Sequence, residues 1–106
     1  MRVPELFDVV ELLVILPDKN LHVGARGAIV ERYDDGTYEV EFSDSYGETI
    51  ALCVLSSEQF LVVWQAKERR WLSASELLAA MVERLSEERQ QQVLEFVTFF
   101  VWEIVS

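Results

Sequence analysis

The chain has 106 residues, of which 51% are apolar, and a formal net charge of −10 at pH 7. This apolar content excludes intrinsic disorder, and the length predicts one compact domain, with room for a small appendage. Because nineteen Asp and Glu face only nine Lys and Arg, the composition argues against duplex nucleic acid and anionic membrane surfaces as partners.

The first half of the chain predicts short strands joined by turns, because it holds all four glycines and both prolines. The cleanest alternation, at residues 37–42, puts three large apolar side chains on one face and Glu39 and Glu41 on the other. The turn before it predicts a tight hairpin with positive φ at Gly36. The predicted strands cover residues 8–16, 25–33, 37–42, 48–54 and 60–64, with one helical turn at 56–59.

Five short strands with tight turns predict a small SH3-like antiparallel barrel over residues 1–66. Closure of the sheet removes the exposed edges that a lone sheet of this size would leave. An open meander capped by helices gives the same pattern and stays the alternative. Residues 67–106 then form a C-terminal helical segment, so the fold class is mainly β followed by α.

Two helices are predicted in this segment, because Gly and Pro are absent from it and good helix formers dominate. Ser73 and Glu76 fit a capping box that starts a helix running to about Leu85. Ser86 looks like a second N-cap, for a helix that runs to about Ile104.

The last helix has more apolar residues than one buried face needs. Leu94, Phe99 and Trp102 fall outside its main stripe, so packing of one face leaves them uncovered. Packing within the chain and docking to a partner stay open as interpretations. We predict that Phe99 and Trp102 lie in an interface with the same helix of a second copy. The main stripe, which helical spacing predicts to be buried, consists of Val93, Phe96, Val97, Phe100, Val101 and Ile104.

Residues that could carry chemistry do not converge in the sequence. His22 is the single histidine, and no serine or cysteine stands at a spacing that indicates nucleophilic catalysis. Cys53, in mid-strand, predicts a small core residue, and one cysteine builds neither an internal disulfide nor a zinc site. Glu39 and Glu41 share one strand face, which a solvated surface explains without acid–base chemistry. The sequence therefore predicts a protein that is not an enzyme and has no cofactor and no metal.

One basic cluster, Lys67, Arg69 and Arg70 beside Trp71, follows the predicted strands. Basic and aromatic residues together can bind single-stranded nucleic acid. Three positive charges in a chain of net charge −10 are too few to attract such a ligand. We therefore interpret the cluster as a linker whose basic side chains pair with local acids.

Two features bear on location. Glu5 and Asp8 interrupt the apolar region that a signal peptide needs, and no apolar run reaches the roughly 18 residues of a spanning helix. The single cysteine fits a reducing compartment. We therefore expect a cytoplasmic protein without a membrane partner.

Three segments carry a resemblance to a known family. Residues 5–10 read Glu-Leu-Phe-Asp-Val-Val, residues 23–31 read Val-Gly-Ala-Arg-Gly-Ala-Ile-Val-Glu, and residues 38–42 read Tyr-Glu-Val-Glu-Phe. In this order they resemble the bacterial family "domain of unknown function 4926" over about residues 5–64. The resemblance implies a small SH3-like barrel in a bacterium and no enzymatic activity.

Residues 85–97 are similar to the helix of a second bacterial group, "domain of unknown function 2281". Members of that group look like antitoxin-type proteins, and relatives of the first family look like neighbours of small toxin-like proteins. The two resemblances together imply an antitoxin or immunity role as one interpretation.

Two functions follow as hypotheses. The first is a non-catalytic protein-interaction module, antitoxin- or immunity-like, whose acidic barrel (net charge −8 from twelve acids and four bases over residues 1–66) binds a basic, toxin-like protein partner. The second is a homo-oligomeric structural or accessory subunit of a larger complex, assembled through the last helix. The predicted interaction residues are Leu94, Phe99, Trp102, Glu39 and Glu41.

Overall fold

The computed structural model of the chain describes residues 3–105. These residues divide into two compact units, a β unit that ends at Ser73 and a helical unit that begins at Ala74. The elements in chain order are β1 (Val9–Leu12), a 3-10 helix (Pro17–Lys19), β2 (Arg26–Arg32), β3 (Thr37–Ser43), β4 (Thr49–Ser56), a second 3-10 helix (Ser57–Gln59), β5 (Phe60–Gln65), β6 (Arg70–Trp71), α1 (Ala74–Val82) and α2 (Glu87–Val105).

The strands form one antiparallel sheet in the order β4-β3-β2-β1-β5-β6. An antiparallel sheet followed by two helices was predicted and is confirmed. Within residues 3–105 no strand pair closes this sheet, so β4 and β6 are its two edges. The sheet therefore keeps the two exposed edges that closure was predicted to remove.

β1 ends four residues before the predicted strand 8–16 does, because the chain bends after Leu12. Leu16 and Leu21 form an isolated bridge around the first 3-10 helix, which begins at Pro17, a residue without a backbone N–H. Asn20 ends this helix in the left-handed region, at φ 54°. Apolar character continues through the bend because Leu16 still packs against the core.

The hairpin of β2 and β3 follows the predicted pattern closely. Gly36 takes a φ of +87° in its turn, as predicted. Gly27 is needed for a different reason, close packing of two strands. A Cβ atom at Gly27 would lie 2.7 Å from Val40 Cγ1 and 2.8 Å from the backbone oxygen of Glu41, closer than atoms can approach.

The core lies on one face of the sheet. The rings of Tyr38 and Phe60 meet edge to face at 5.6 Å, and Cys53 is buried beside them in the same cluster, as predicted for a core thiol. The buried cluster consists of Val10, Leu12, Leu21, Ile29, Tyr38, Val40, Phe42, Ala51, Cys53, Leu55 and Phe60.

Only part of the basic cluster after β5 belongs to the sheet, because Arg70 lies in β6 whereas Lys67 and Arg69 lie in the turn before it. Trp71 pairs with Trp64 and Arg70 pairs with Gln65, and the two indole rings lie 6.5 Å apart. The guanidinium of Arg26 lies 5.1 Å from the centre of the Trp71 ring, a cation–π distance. The β unit therefore continues to residue 73, seven residues beyond the boundary that the composition indicates.

Side-chain hydrogen bonds stabilise the turn between α1 and α2. Ser86 caps α2 as predicted, because its Oγ accepts a hydrogen bond from the Arg89 N–H at 3.2 Å. The Gln90 side-chain amide donates to the carbonyls of Val82 and Leu85, at 3.0 and 3.3 Å. α1 ends at Val82, three residues before the predicted end at Leu85, and the Val82 carbonyl also accepts from the Leu85 N–H at 3.0 Å.

Candidate functional site

The apolar residues of α2 form the first candidate surface, which we name the α2 surface. None of the described residues of α1 or α2 is buried, so the prediction of a buried stripe is wrong. Two short helices are too small a unit to enclose such a stripe by themselves. The α2 surface consists of Leu94, Phe96, Val97, Phe99, Phe100, Val101, Trp102, Ile104 and Val105, which are 47–82% exposed.

The three predicted interaction residues of α2 do not form one cluster. Leu94 lies on the side of Val97 and Val101, three and seven positions further along the helix. Phe99 and Trp102, three positions apart, form a second ridge on the other side. The Phe100 ring contacts Phe96 at a centroid distance of 5.0 Å and Phe99 at 6.4 Å, so aromatic surface connects the two sides.

A shallow groove of about 460 Å³ lies at the first turns of α2. Apolar side chains and the polar heads of Arg89 and Gln92 line it together. The Arg89 guanidinium donates to Gln92 Oε1 at 2.9 Å, which holds both polar groups at the rim. The full lining is Leu85, Arg89, Gln92, Val93 and Phe96.

The outer face of the sheet carries the second candidate surface. Glu39 and Glu41 point away from the core as predicted, and Glu31 of β2 stands opposite Glu39 in the register. The Tyr33 hydroxyl donates to Glu39 Oε2 at 3.2 Å. Desolvation, this hydrogen bond and the nearby carboxylate charges raise the pKa of Tyr33. We name Glu31, Glu39 and Glu41 the acidic row.

An apolar strip that was not predicted from the sequence lies beside the acidic row. Ile50, Leu52 and Val54 of β4 are 48–58% exposed and follow the alternation of the edge strand. Leu52 pairs with Glu41 and Val54 pairs with Glu39. The signal was present, because residues 50–54 are apolar at both alternating sets of positions. We name these three residues the β4 strip.

A groove of about 440 Å³ runs along β4. The first 3-10 helix and the residue before it form the opposite wall. Cys53 lines the groove, and burial raises the pKa of its thiol, an effect that the Lys19 ammonium opposes. The lining consists of Leu16, Pro17, Asp18, Lys19, Leu52, Cys53, Val54, Leu55 and Gln59.

Asp8 is a fully buried carboxylate, and its burial was not predicted from the sequence. Its Oδ1 accepts from the Ala66 N–H at 2.9 Å, and its Oδ2 accepts from the Glu5 N–H at 3.0 Å. Phe7, just before it, is exposed and has a φ of 70°. Asp8 therefore fastens the start of β1 to the end of β5, and its role is structural.

The part of the chain that the structure describes contains neither a cluster of metal ligands nor a membrane-spanning helix. No three His, Cys, Asp or Glu side chains there converge as metal ligands would. No helix among residues 3–105 has the length and apolar character needed to cross a membrane. His22 lies exposed in the loop before β2.

Comparison with known proteins identifies the β unit. No curated protein and no solved structure matches this chain. The family model "Domain of unknown function (DUF4926)" matches residues 6–62, more than half of the 106 residues. The matched range includes the acidic row and the β4 strip and ends before the helical unit. The chain therefore belongs to the DUF4926 family.

Proposed function

We propose that this protein is a non-catalytic protein-interaction module of the bacterial cytoplasm that binds a protein partner. In its sharper form it is antitoxin- or immunity-like and neutralises a basic partner. The α2 surface carries this proposal, because nine apolar side chains of one helix are about half exposed or more. A contiguous apolar surface of this kind is typical of interaction sites.

The energetics favour an occupied α2 surface. Burial of a Val, Leu, Ile or Phe side chain is worth about 1.5–3 kcal/mol relative to exposure. Phe99 and Trp102 form a ridge of their own, so a partner that covers only the Val97 and Val101 side leaves them in water. Docking on α2 therefore has a large hydrophobic driving force available.

The charge of the β unit supports a basic partner. Residues 1–66 hold twelve acids and four bases, a net charge of −8. A surface of one sign speeds association with partners of the other sign and disfavours partners of the same sign. The acidic row is the part of that charge that lies on one exposed sheet face.

An SH3-like barrel belongs to the same proposal. The strand order β4-β3-β2-β1-β5 and the 3-10 helix at Ser57–Gln59 directly before β5 support it. Small β modules of this kind present their loops to other proteins.

Capture from the native host tests the proposed function. Wild-type chain is expected to recover one protein of basic composition, and Phe99→Glu/Trp102→Glu is expected to lose it. Gln91→Glu/Thr98→Glu is the matched control, because it adds the same two charges to α2 without removing apolar surface. Failure to recover any stable protein partner contradicts the proposal.

A second candidate function is a homo-oligomeric accessory subunit. The observation that favours it is the second apolar side of α2, where Phe99 and Trp102 can meet the same ridge of another copy. Light scattering distinguishes the two functions. A stable dimer without another partner, dissociated by Phe99→Glu/Trp102→Glu, supports the oligomer, and a monomer supports the interaction module.

A further inference from the structure

β4 is an edge strand, and its register with β3 determines which of its backbone N–H and C=O groups point away from the sheet. Thr37 and Ser56 are register partners, yet the Thr37 carbonyl accepts from the Tyr33 N–H and the Ser56 N–H donates to Gln59 Oε1. They therefore form a non-hydrogen-bonded pair. Because such pairs alternate with hydrogen-bonded ones in an antiparallel ladder, Leu52 and Val54 direct their N–H and C=O groups away from β3.

These backbone groups are open. Among the described residues, no backbone hydrogen bond outside the β3 ladder involves residues 49–55. The edge also lacks the features that block strand pairing, because the side chains of Leu52 and Val54 are neither charged nor proline. β4 is therefore an exposed apolar edge of the kind that accepts another strand.

The side chains around this edge select the incoming strand. A strand added to β4 lies about 4.8 Å from β4 and about 9.6 Å from β3. Its outward side chains pass over Leu52 and Val54 before they reach Glu41 and Glu39. An arginine or lysine fits this path, because its aliphatic stem covers apolar surface and its charged head reaches beyond it.

The acidic row is available to such a charged head. Within residues 3–105 the Glu41 carboxylate has no hydrogen bond or ion pair, and Glu39 accepts only from the neutral Tyr33 hydroxyl. The groove of about 440 Å³ at this edge, which Leu52 and Val54 line together with Cys53 and Leu55, leaves room for side chains of an added strand. The opposite wall combines the apolar Leu16 and Pro17 with the charged Asp18 and Lys19.

We propose that β4 binds an extended segment of a basic protein partner by strand addition, with alternate Arg or Lys side chains lying over the β4 strip and paired with Glu39 and Glu41. This proposal rests on the proposed function, and it assigns the site and the chemistry of the bound segment. A second copy fits less well as the occupant, because two chains of charge −10 repel each other.

A synthetic peptide tests the site on the full-length chain. The probe is a nine-residue peptide with capped ends in which Arg and Val alternate, and the matched peptide has Glu in place of Arg. Nuclear magnetic resonance titration is expected to show binding of the Arg peptide alone. The amides of Leu52 and Val54 are expected to shift and to exchange more slowly with solvent.

A backbone variant separates strand addition from general charge attraction. Val54→Pro removes one outward N–H without removing a bond to β3, so the ladder is expected to persist. We expect about tenfold weaker peptide binding by Val54→Pro, and a change within about twofold for the control Val54→Thr, which keeps that N–H.

A charge variant tests the acidic row. Glu39→Gln/Glu41→Gln is expected to weaken peptide binding about tenfold and to reduce its dependence on salt. Glu88→Gln/Glu95→Gln removes the same two charges from α2 and is expected to weaken binding less than about threefold.

Several results overturn strand addition. The first is equal peptide binding by Val54→Pro and Val54→Thr, and the second is peptide-induced shifts that spare β4. The third is a dimer of the free chain that Val54→Pro dissociates, since a second copy would then occupy the edge. If Val54→Pro does not fold, solvent exchange at Leu52 and Val54 in the wild-type complex decides, and unprotected amides overturn the proposal.

The outcome is distinguishable from failure of the proposed function. If the peptide pairs with β4 but the full chain recovers no host partner, the proposed function fails and the strand-addition site stands. If a host partner is recovered equally by wild type and Val54→Pro, the proposed function stands and strand addition is wrong.

Discussion

Asp8 stabilises the β unit through two backbone partners on opposite sides of it. Asp8→Asn keeps the size of the side chain but turns one acceptor oxygen into a donor, which leaves a buried N–H without a partner. We expect a loss of about 1–3 kcal/mol in the free energy of unfolding, measured by denaturant titration. Asp34→Asn, in the exposed turn after β2, is the control and is expected to change it by less than about 0.5 kcal/mol. Equal losses in the free energy of unfolding for the two substitutions would show that the Asp8 hydrogen bonds do not stabilise the β unit.

Asp35 provides a pH-dependent contribution to the β2–β3 turn. The Thr37 hydroxyl and N–H both donate to its Oδ1, at 2.6 and 3.0 Å, and these bonds lower the pKa of Asp35. Because the folded-state pKa lies below the ordinary value, the stabilisation is present above that value and is lost as pH falls through the lowered pKa.

The Thr37 hydroxyl is the largest cause of this shift, and one substitution tests it. Thr37→Val removes the hydroxyl and keeps the N–H, so the pKa of Asp35 is expected to rise toward its ordinary value. Carboxyl titration followed by nuclear magnetic resonance measures this pKa. An unchanged Asp35 titration curve in Thr37→Val would contradict the assignment.

At the scale of single elements, Gly27 permits β2 and β3 to pack closely. Gly27→Ala forces its new Cβ against Val40 Cγ1 and the Glu41 carbonyl, and the backbone contact has no side-chain rotation to relieve it. We expect thermal unfolding to report a loss of about 1–3 kcal/mol. Gly47→Ala is the comparison, because it replaces a glycine without creating a clash. A Cβ atom at Gly47 meets nothing within 4 Å, and the φ of +82° strains the new alanine there. A Gly27→Ala chain as stable as wild type would show that the strands can separate freely.

Five of the six strands were predictable from the sequence, but the end of β1 and the existence of β6 were not. Alternation and the turn at Gly36 place β2 and β3 within one residue of their observed ends, because both signals are local. β1 was predicted too long because an apolar run does not reveal that it bends after Leu12. β6 was missed because a two-residue strand of Arg and Trp has no alternation to detect.

The candidate surfaces were only partly predictable for a related reason. Helical periodicity identifies which positions of α2 are apolar, but it carries no information on what covers them. The outward direction of Glu39 and Glu41 follows from alternation within β3. The neighbouring β4 strip needed the register, since only the pairing of Leu52 with Glu41 brings the two together.

For the whole molecule, the net charge of −10 makes stability depend on salt. Like charges in a compact chain repel, and about 0.1 M salt screens exposed charges more than about 10 Å apart. We expect the midpoint of thermal unfolding to rise when sodium chloride is added to a low-salt solution. Glu39→Gln/Glu41→Gln is expected to start from a higher midpoint and to gain less. A midpoint that falls with salt would mean that attractive pairs outweigh the repulsion.

The three tryptophans allow the β unit and α2 to be followed separately by fluorescence. Trp64 and Trp71 stand together in the β unit, and Trp102 lies alone on an exposed part of α2. Trp102 therefore emits from a water-exposed site, and a protein that covers the α2 surface shifts that emission toward the blue. In a Trp102→Phe chain the remaining emission comes only from the sheet. Occupation of the helix and unfolding of the sheet can thus be followed in one unlabelled sample.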